Sequence, residues 1–343
     1  HLKMTEKDKE DARKVYGMVS NIDDNIGKLL QKIADLGIEE NTIIIFMTDN
    51  GPQQLRYTAG MRDKKGSVYN GGTRVPFFLK YPALSKESKV IETMSAHFDV
   101  LPTLSELCHV DLPKDRKIDG KSLVPLIKGK KVDWSDRAMF SYWTRKYPEL
   151  YNSMAIQKAE YKLVGQTNYN ASIEDFELYH LKNDPEELHN IVKENKAIAL
   201  KLKAELDLIY QDLIRSKNLI NPPKIIVGSK KENPLTLNRN DADGSRGLWD
   251  QEAIFGKWNV NILKGRYNFK FKFINPIAAN GDMYLETNTI INQMKNDQPT
   301  DVIEMKNVSL PEINGELIPY YLTKGKMILP FSVEIEKLDL NSH

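Results

Sequence analysis

The longest regular pattern in the chain runs from residue 7 to residue 36. There Val15, Val19, Ile22, Ile26, Leu29, Ile33 and Leu36 recur at alternating steps of three and four, ahead of Gly37. That spacing puts one apolar stripe on a helix and ends it at a glycine, so an amphipathic helix is predicted here. The pattern then changes. NTIIIFMTDNG carries a continuous apolar run between Asn41 and Gly51, as in a strand buried on both faces of a parallel or mixed sheet. RVPFFLKYP reads as a second such strand, and HFDVLPTLSELCHV as a short helix after it. A helix leading into a buried strand is α/β grammar, and in such sheets the loops at the carboxyl ends of the strands carry the site.

From about Asp133 the pattern shortens. SMAIQKAEYKLVG and FELYHL read as brief strands, followed by a helix over roughly residues 185 to 216, which together make a small α+β subdomain. Pro222, Pro223 and Pro234 bracket a linker. After it, WNVNIL, YNFKFKFI and MILPFSVEI alternate with period two, the mark of half-exposed strands in an antiparallel β-sandwich. The boundaries expected are 1–132 for the α/β part, 133–218 for the subdomain and 219–343 for the β-rich tail. Trp249, Trp258 and Tyr267 in that tail suit either sugar stacking or a strand core, and packing is the default. NRNDADGSRG has the look of a calcium loop, but Arg239 stands at the first ligand position and Asp250 replaces the closing Glu, so a charged turn is expected.

Composition narrows the partners. With 343 residues, a net charge of +2 and 28% charged side chains, the chain has no overall basic field for nucleic acid or an anionic membrane. Any anion site is local. A single cysteine, Cys108, excludes an internal disulfide and a cysteine metal site, and its setting in LSELCHV suggests a small buried hydrophobe. No apolar run is long enough to span a membrane, and no signal peptide is seen. The sequence opens at His1 rather than Met, as in a processed product or a piece of a longer chain.

Candidate chemistry lies between residues 48 and 76, TDNGPQQLRYTAGMRDKKGSVYNGGTRVP. Asp49 and Asn50 follow the first buried strand directly. One carboxylate and one amide oxygen suit a hard cation such as calcium or magnesium better than zinc, although the same residues also close strands as Asx turns. Lys65 follows in a loop with Gly66, Gly71, Gly72 and Arg74 close by. A lysine ammonium is a compact charge for an anion oxygen and glycines let backbone approach a ligand, the plain alternative being a solvated surface lysine. Together the residues describe a tetrahedral oxyanion held between a divalent cation and a cationic side chain.

TDNGP, KGSVYNGGTRVPFFLKYP, HFDVLPTL and DGKSLVPLI, followed by YKLV and FELYHLKNDPEELHNI, resemble the sulfatase family of the alkaline-phosphatase superfamily over residues 10 to 215. The resemblance implies an alkaline-phosphatase-like mixed sheet flanked by helices. It also implies hydrolysis of a sulfated carbohydrate or aryl sulfate by a formylglycine nucleophile, with calcium assisting. Asp49 and Asn50 match the family's second pair of metal ligands, and Lys65 its sulfate-contacting lysine. Arg56 and Arg74 lie in the same motifs, as substrate-contacting or structural arginines. His1 stands where a substrate-contacting histidine would precede the Asp-Asn pair. The family resemblance favours a periplasmic or secreted protein.

The family's C/S-x-P/A-S-R nucleophile motif does not occur in the sequence, nor does the first aspartate pair, so the expectation is the carboxyl-terminal part of a sulfatase, inactive alone. Asp23 and Asp24 sit inside the amphipathic helix, where a solvated role is expected. His97 and Asp99 suggest a base with its orienter, or a capping aspartate beside a packed histidine. Two other functions compete: a phosphoester hydrolase of the same superfamily, whose relatives place histidine where Asn50 stands, and a non-catalytic module that only binds anionic glycans.

Overall fold

The structure is a computed structural model that describes residues 4–85, 87–144, 147–245, 247–288 and 290–338. The chain divides into two compact units, residues 1–220 and 221–343.

The first unit opens with α1 (Glu6–Asp35), where the three-four periodicity places it. Thr5 and Asp8 cap its start reciprocally. At its end Gly37, at φ 67°, lets its own N–H reach Ala34 O at 2.9 Å and the Ile38 N–H reach Ile33 O at 3.3 Å. That is a Schellman stop, which needs the left-handed conformation glycine adopts freely. The stripe is not covered as expected: of α1 only Ala12 and Val15 are buried, while Val19, Ile22, Leu29 and Leu36 are exposed. Asp23 and Asp24 are exposed on the same helix.

β1 (Ile44–Met47) pairs antiparallel with β2 (Phe77–Lys80), Ile44 opposite Lys80 and Met47 opposite Phe77. The expected burial on both faces fails, for Phe46, Met47, Phe77 and Phe78 are all exposed. A continuous apolar run asks for a layer on each face, and no described element supplies both. Between the strands lies the short α2 (Asn70–Thr73). After them come α3 (Val100–Cys108) and α4 (Val124–Ile127). Cys108 is exposed rather than buried. It lies two helical turns from Leu101, on the side of α3 away from the buried Pro102 and Thr103.

Four antiparallel strands follow in chain order, β3 (Ala138–Tyr142), β4 (Met154–Lys158), β5 (Tyr161–Gly165) and β6 (Glu177–His180). They are backed by α5 (Lys196–Leu213), whose Ala199, Leu202, Leu206 and Tyr210 form one face and share a core with Met154, Ile156, Leu163 and Leu178. This helix starts later than the sequence suggested. The Asp184 carboxylate accepts the Leu188 and His189 N–H groups, and Asn190 Oδ1 accepts those of Leu178 and Val192. Such side-chain bonds hold residues 184–192 in a turn and compete with helix. The unit closes with α6 (Lys217–Ile220).

The second unit is a β-sandwich. One sheet joins β7 (Ile225–Val227), β9 (Asp243–Gly244), β10 (Gly256–Ile262), β12 (Gly281–Thr287), β13 (Ile291–Asn296), β15 (Ile313–Thr323) and β16 (Lys326–Ile328). The other has the order β14 (Thr300–Leu310), β11 (Gly265–Ile277), β17 (Ser332–Lys337), β8 (Leu235–Asn238). The stretch expected as linker therefore contributes one strand, β7, which lies parallel to β10, the exception in an otherwise antiparallel arrangement. Strict alternation in β10 and β12 sends Trp258, Val260, Met283 and Leu285 inward, where they meet Tyr267, Phe269 and Phe271. Trp258 and Tyr267 are thus core residues, whereas Trp249 is exposed. The charged turn around Asn240 is built on Arg239, whose buried guanidinium donates to the carbonyls of Leu248, Gln251, Leu329 and Pro330. Four neutral acceptors around one buried cation replace the water it loses.

Candidate functional site

β1 delivers the chain to Asp49 and Asn50 with one residue, Thr48, between them and its last paired position, Met47. Asp49 is exposed, and its carboxylate has no partner among the described residues. Asn50 donates from Nδ2 to Gly51 O at 3.0 Å, which turns the amide and leaves Oδ1 as a second oxygen donor. His97 braces the same strand end, its Nε2 lying 2.7 Å from Thr48 O; a carbonyl only accepts, so this nitrogen carries the proton. Asp99 does not orient His97. Fully buried, it accepts from the Ala96 and Lys121 N–H groups and from both terminal nitrogens of Arg137.

The loop carrying Lys65 lies directly against that strand end. Lys65 N–H donates to Pro52 O at 2.9 Å, Gly51 N–H to Gly72 O at 2.9 Å, and Gly71 N–H to Arg62 O at 2.8 Å. The glycines serve this approach of backbone to backbone. A Cβ on Gly51 would sit 1.8 Å from Gly71 O, one on Gly71 2.2 Å from Asp63 O, and one on Gly72 2.3 Å from Ser67 O. Nothing but hydrogen fits at these positions.

Two polar clusters then fix the loop on the four-stranded sheet. Lys162 and Glu187, both buried, form an ion pair at 2.7 Å that falls short of an aligned hydrogen bond at Glu187 Oε1. Lys162 also donates to Asn70 Oδ1 at 3.1 Å, while Glu187 accepts the Asn70 N–H and Asn70 Nδ2 donates to Pro185 O at 2.9 Å. Burial draws the Lys162 ammonium below the ordinary lysine value, and the Glu187 charge opposes that shift. In the second cluster Arg62 lies 3.9 Å above the centre of the Tyr69 ring, donates to Tyr179 OH at 2.6 Å and pairs with Glu177 at 3.2 Å. Both phenols donate to Glu177, and burial, then that hydrogen bond, raises each well above an ordinary tyrosine.

Asp49, Asn50 and Lys65 are therefore brought together by chain-to-chain hydrogen bonds. Lys65 is exposed and has no ion pair among the described residues. The charge of its neighbour Lys64 helps to lower the Asp8 carboxyl, which is held low mainly by hydrogen bonds from Thr5. Arg56 is half-buried and Arg74 exposed, and neither guanidinium donates to any described residue. His1 lies outside the described residues. Sequence reasoning missed Arg62, Asn70, Lys162, Glu177 and Glu187. The available signal was Lys162 between Tyr161 and Leu163 in a short strand, since a lysine there needs a buried partner.

Asp49 and Asn50 fit calcium in kind, as hard oxygen donors, but supply two of the roughly six to eight oxygens such an ion takes. Among the described residues no group of three or more His, Cys, Asp or Glu side chains is placed to hold a metal ion.

An acid-amide pair at a strand end, with a glycine-built loop hydrogen-bonded beside it, thus sits in the mixed α/β part of the first unit. Residues 3–110 match the family model for Sulfatase, and residues 59–213 the model for N-sulphoglucosamine sulphohydrolase, C-terminal. Residues 3–213 are thus sulfatase-family sequence; neither match enters the second unit. A sulfatase of Formosa agariphila is 31% identical over 209 residues, which cover 55% of this chain and 38% of that protein. An N-acetylglucosamine-6-O-sulfatase of Bacteroides thetaiotaomicron is 29% identical over 206 residues, 58% of this chain and 35% of that protein. The crystal structure of Ps i-CgsB in complex with k-i-k-neocarrahexaose superposes with a TM-score of 0.51 at 26% identity, covering 61% of this chain and 44% of that one. The chain thus spans less than half the length of each.

Proposed function

We propose that these residues serve a sulfuric ester hydrolase acting on a sulfated carbohydrate, with Asp49 and Asn50 contributing to a calcium site and Lys65 contacting the sulfate. The observation that carries this is the pair of hydrogen bonds, Gly51 to Gly72 and Lys65 to Pro52, that holds the strand-end oxygens beside the lysine loop. Calcium, when bound, would withdraw charge from the sulfate oxygens. The Lys65 ammonium would neutralise a non-bridging oxygen, and the loop's glycine contacts would keep that charge in place before the ester arrives. Arg56 and Arg74, whose guanidinium groups find no described acceptor, are offered as further contacts to an anionic substrate, and His1 as one more.

The domain roles proposed are the α/β catalytic part over 1–132, the α+β subdomain over 133–218 and a separate β-rich domain over 219–343. No helix among the described residues is long and apolar enough to cross a membrane, and a periplasmic or secreted location is proposed from the family alone. Since no C/S-x-P/A-S-R motif occurs in these 343 residues, turnover needs a formylglycine nucleophile from sequence beyond them. The sugar sulfate proposed as substrate is a sulfated hexosamine, in keeping with the 6-O-sulfatase relative.

The test uses the protein expressed from its whole coding sequence. Asp49→Ala should lower calcium content and turnover of N-acetylglucosamine 6-sulfate together, because a hard cation loses a charged ligand. Intact metal content and turnover would reduce Asp49–Asn50 to an Asx turn. Faster turnover of the matching phosphate ester by the unmodified protein would favour a phosphoester hydrolase instead.

A further inference from the structure

Beside the lysine loop stands an aromatic side chain that the chemistry above does not use. Trp143 follows β3 directly, and its N–H donates to Ser153 O at 3.0 Å, which continues the β3–β4 ladder by one residue and fixes its backbone in the sheet. The side chain reaches back to the lysine loop. A Cβ placed on Gly66 would lie 3.5 Å from both Cε2 and Nε1 of the Trp143 indole, so the ring rests against the residue next to Lys65. Gly66 sits at φ 84°, a conformation that keeps glycine at this point and leaves room for the indole. Trp143 is nevertheless 45% exposed, and Nε1 has no hydrogen-bond partner among the described residues. Tyr142 and Tyr147, on either side in sequence, are exposed as well.

A tryptophan supported from behind by backbone, open in front and carrying an unused N–H is unusual for a residue packed only for stability, since burying indole surface is where its packing energy comes from. Against the residue that follows Lys65, it has the chemistry of a sugar subsite. The face of a pyranose ring presents C–H groups to an aromatic plane, its hydroxyls accept from Nε1–H, and a sulfate on that sugar reaches the cation. We propose that Trp143 is a substrate-contacting residue that stacks on the sugar ring whose sulfate is held at Lys65. This rests on the sulfatase reading above. It places the choice of a glycosyl over an aryl sulfate partly in the α+β subdomain, because Trp143 directly follows β3 and its partner Ser153 adjoins β4.

The test is an NMR titration of this chain, reading the indole N–H of Trp143, assigned through Trp143→Phe, alongside the backbone amides of residues 65–72. The probes are N-acetylglucosamine 6-sulfate, 4-nitrophenyl sulfate and inorganic sulfate. The sugar sulfate should move both the loop amides and the Trp143 indole, and inorganic sulfate only the amides. Trp143→Ala should weaken the sugar sulfate on the order of tenfold, the size of one aromatic contact, and inorganic sulfate hardly at all. Trp143→Phe should recover most of that loss. Loop amides that respond while the indole stays still, or an indole that moves equally with inorganic sulfate, would overturn the stacking role and leave the anion site standing. A tenfold preference for 4-nitrophenyl sulfate that depends on Trp143 would assign the platform to aryl groups and overturn the sugar role. Silence of both loop and indole toward all three probes would remove the anion site itself, and the subsite with it.

Discussion

At the scale of single residues, the site depends on hydrogens where side chains would be. Gly51→Ala drives a methyl group into Gly71 O, and the two segments it separates are those that carry Asp49 and Lys65. It should destabilise the first unit by about 1–3 kcal/mol, as overpacking does, and thermal melting of the variant checks this. Gly17→Ala, in a helix position with nothing nearby, is the control and should be neutral or slightly stabilising. Lys162 offers a sharper case. Lys162→Met leaves Glu187 buried without its cation, which should remove about 3–5 kcal/mol of stability in denaturant unfolding, whereas Lys162→Met with Glu187→Leu should recover part of it. A single variant as stable as the parent would mean that Glu187 finds other partners.

At the scale of elements, local signals were legible and long-range ones were not. The three-four spacing from Val15 to Leu36 located α1, and Gly37 its end, because both depend on neighbours within one turn. Period-two alternation likewise placed Trp258 and Tyr267 in strands whose inner faces make the sandwich core. The start of α5 was misjudged because Asp184 and Asn190 bond backbone N–H groups that the helix pattern assigned elsewhere. The pair Asp49–Asn50 and the lysine at position 65 stood out as residue types at a strand end and in a glycine loop. What joins them, the carbonyls of Pro52 and Gly72 and the Lys162–Glu187 pair beneath Asn70, could not be read, because backbone partners leave no trace in residue type. The turn at 184–192 gives its own prediction. Asn190→Ala removes the acceptor of two backbone N–H groups and should speed hydrogen exchange at Leu178 and Val192 well above that in the middle of α5.

At the scale of the whole molecule, apolar surface is unevenly distributed. The first unit exposes Met18, Val19, Ile22, Leu29 and Leu36 along α1, and Phe46, Met47, Phe77 and Phe78 on the β1–β2 pair. Such surface on a purified chain should bind a hydrophobic dye and promote association, and Ile22→Glu with Leu29→Lys should reduce both without changing far-UV circular dichroism. Whether Lys65 meets a sulfate beside the Asp49–Asn50 oxygens is tested by comparing Lys65→Ala with Lys64→Ala. In the protein expressed from its whole coding sequence and assayed with a sulfate ester, Lys65→Ala should lower kcat/KM by about 10² to 10³, the usual effect of losing one preorganised charge, with folding and calcium content unchanged. Lys64→Ala, which removes a charge that acts on Asp8, should lower it little. Equal and small losses at both positions would contradict the account and leave Lys65 a solvated surface lysine.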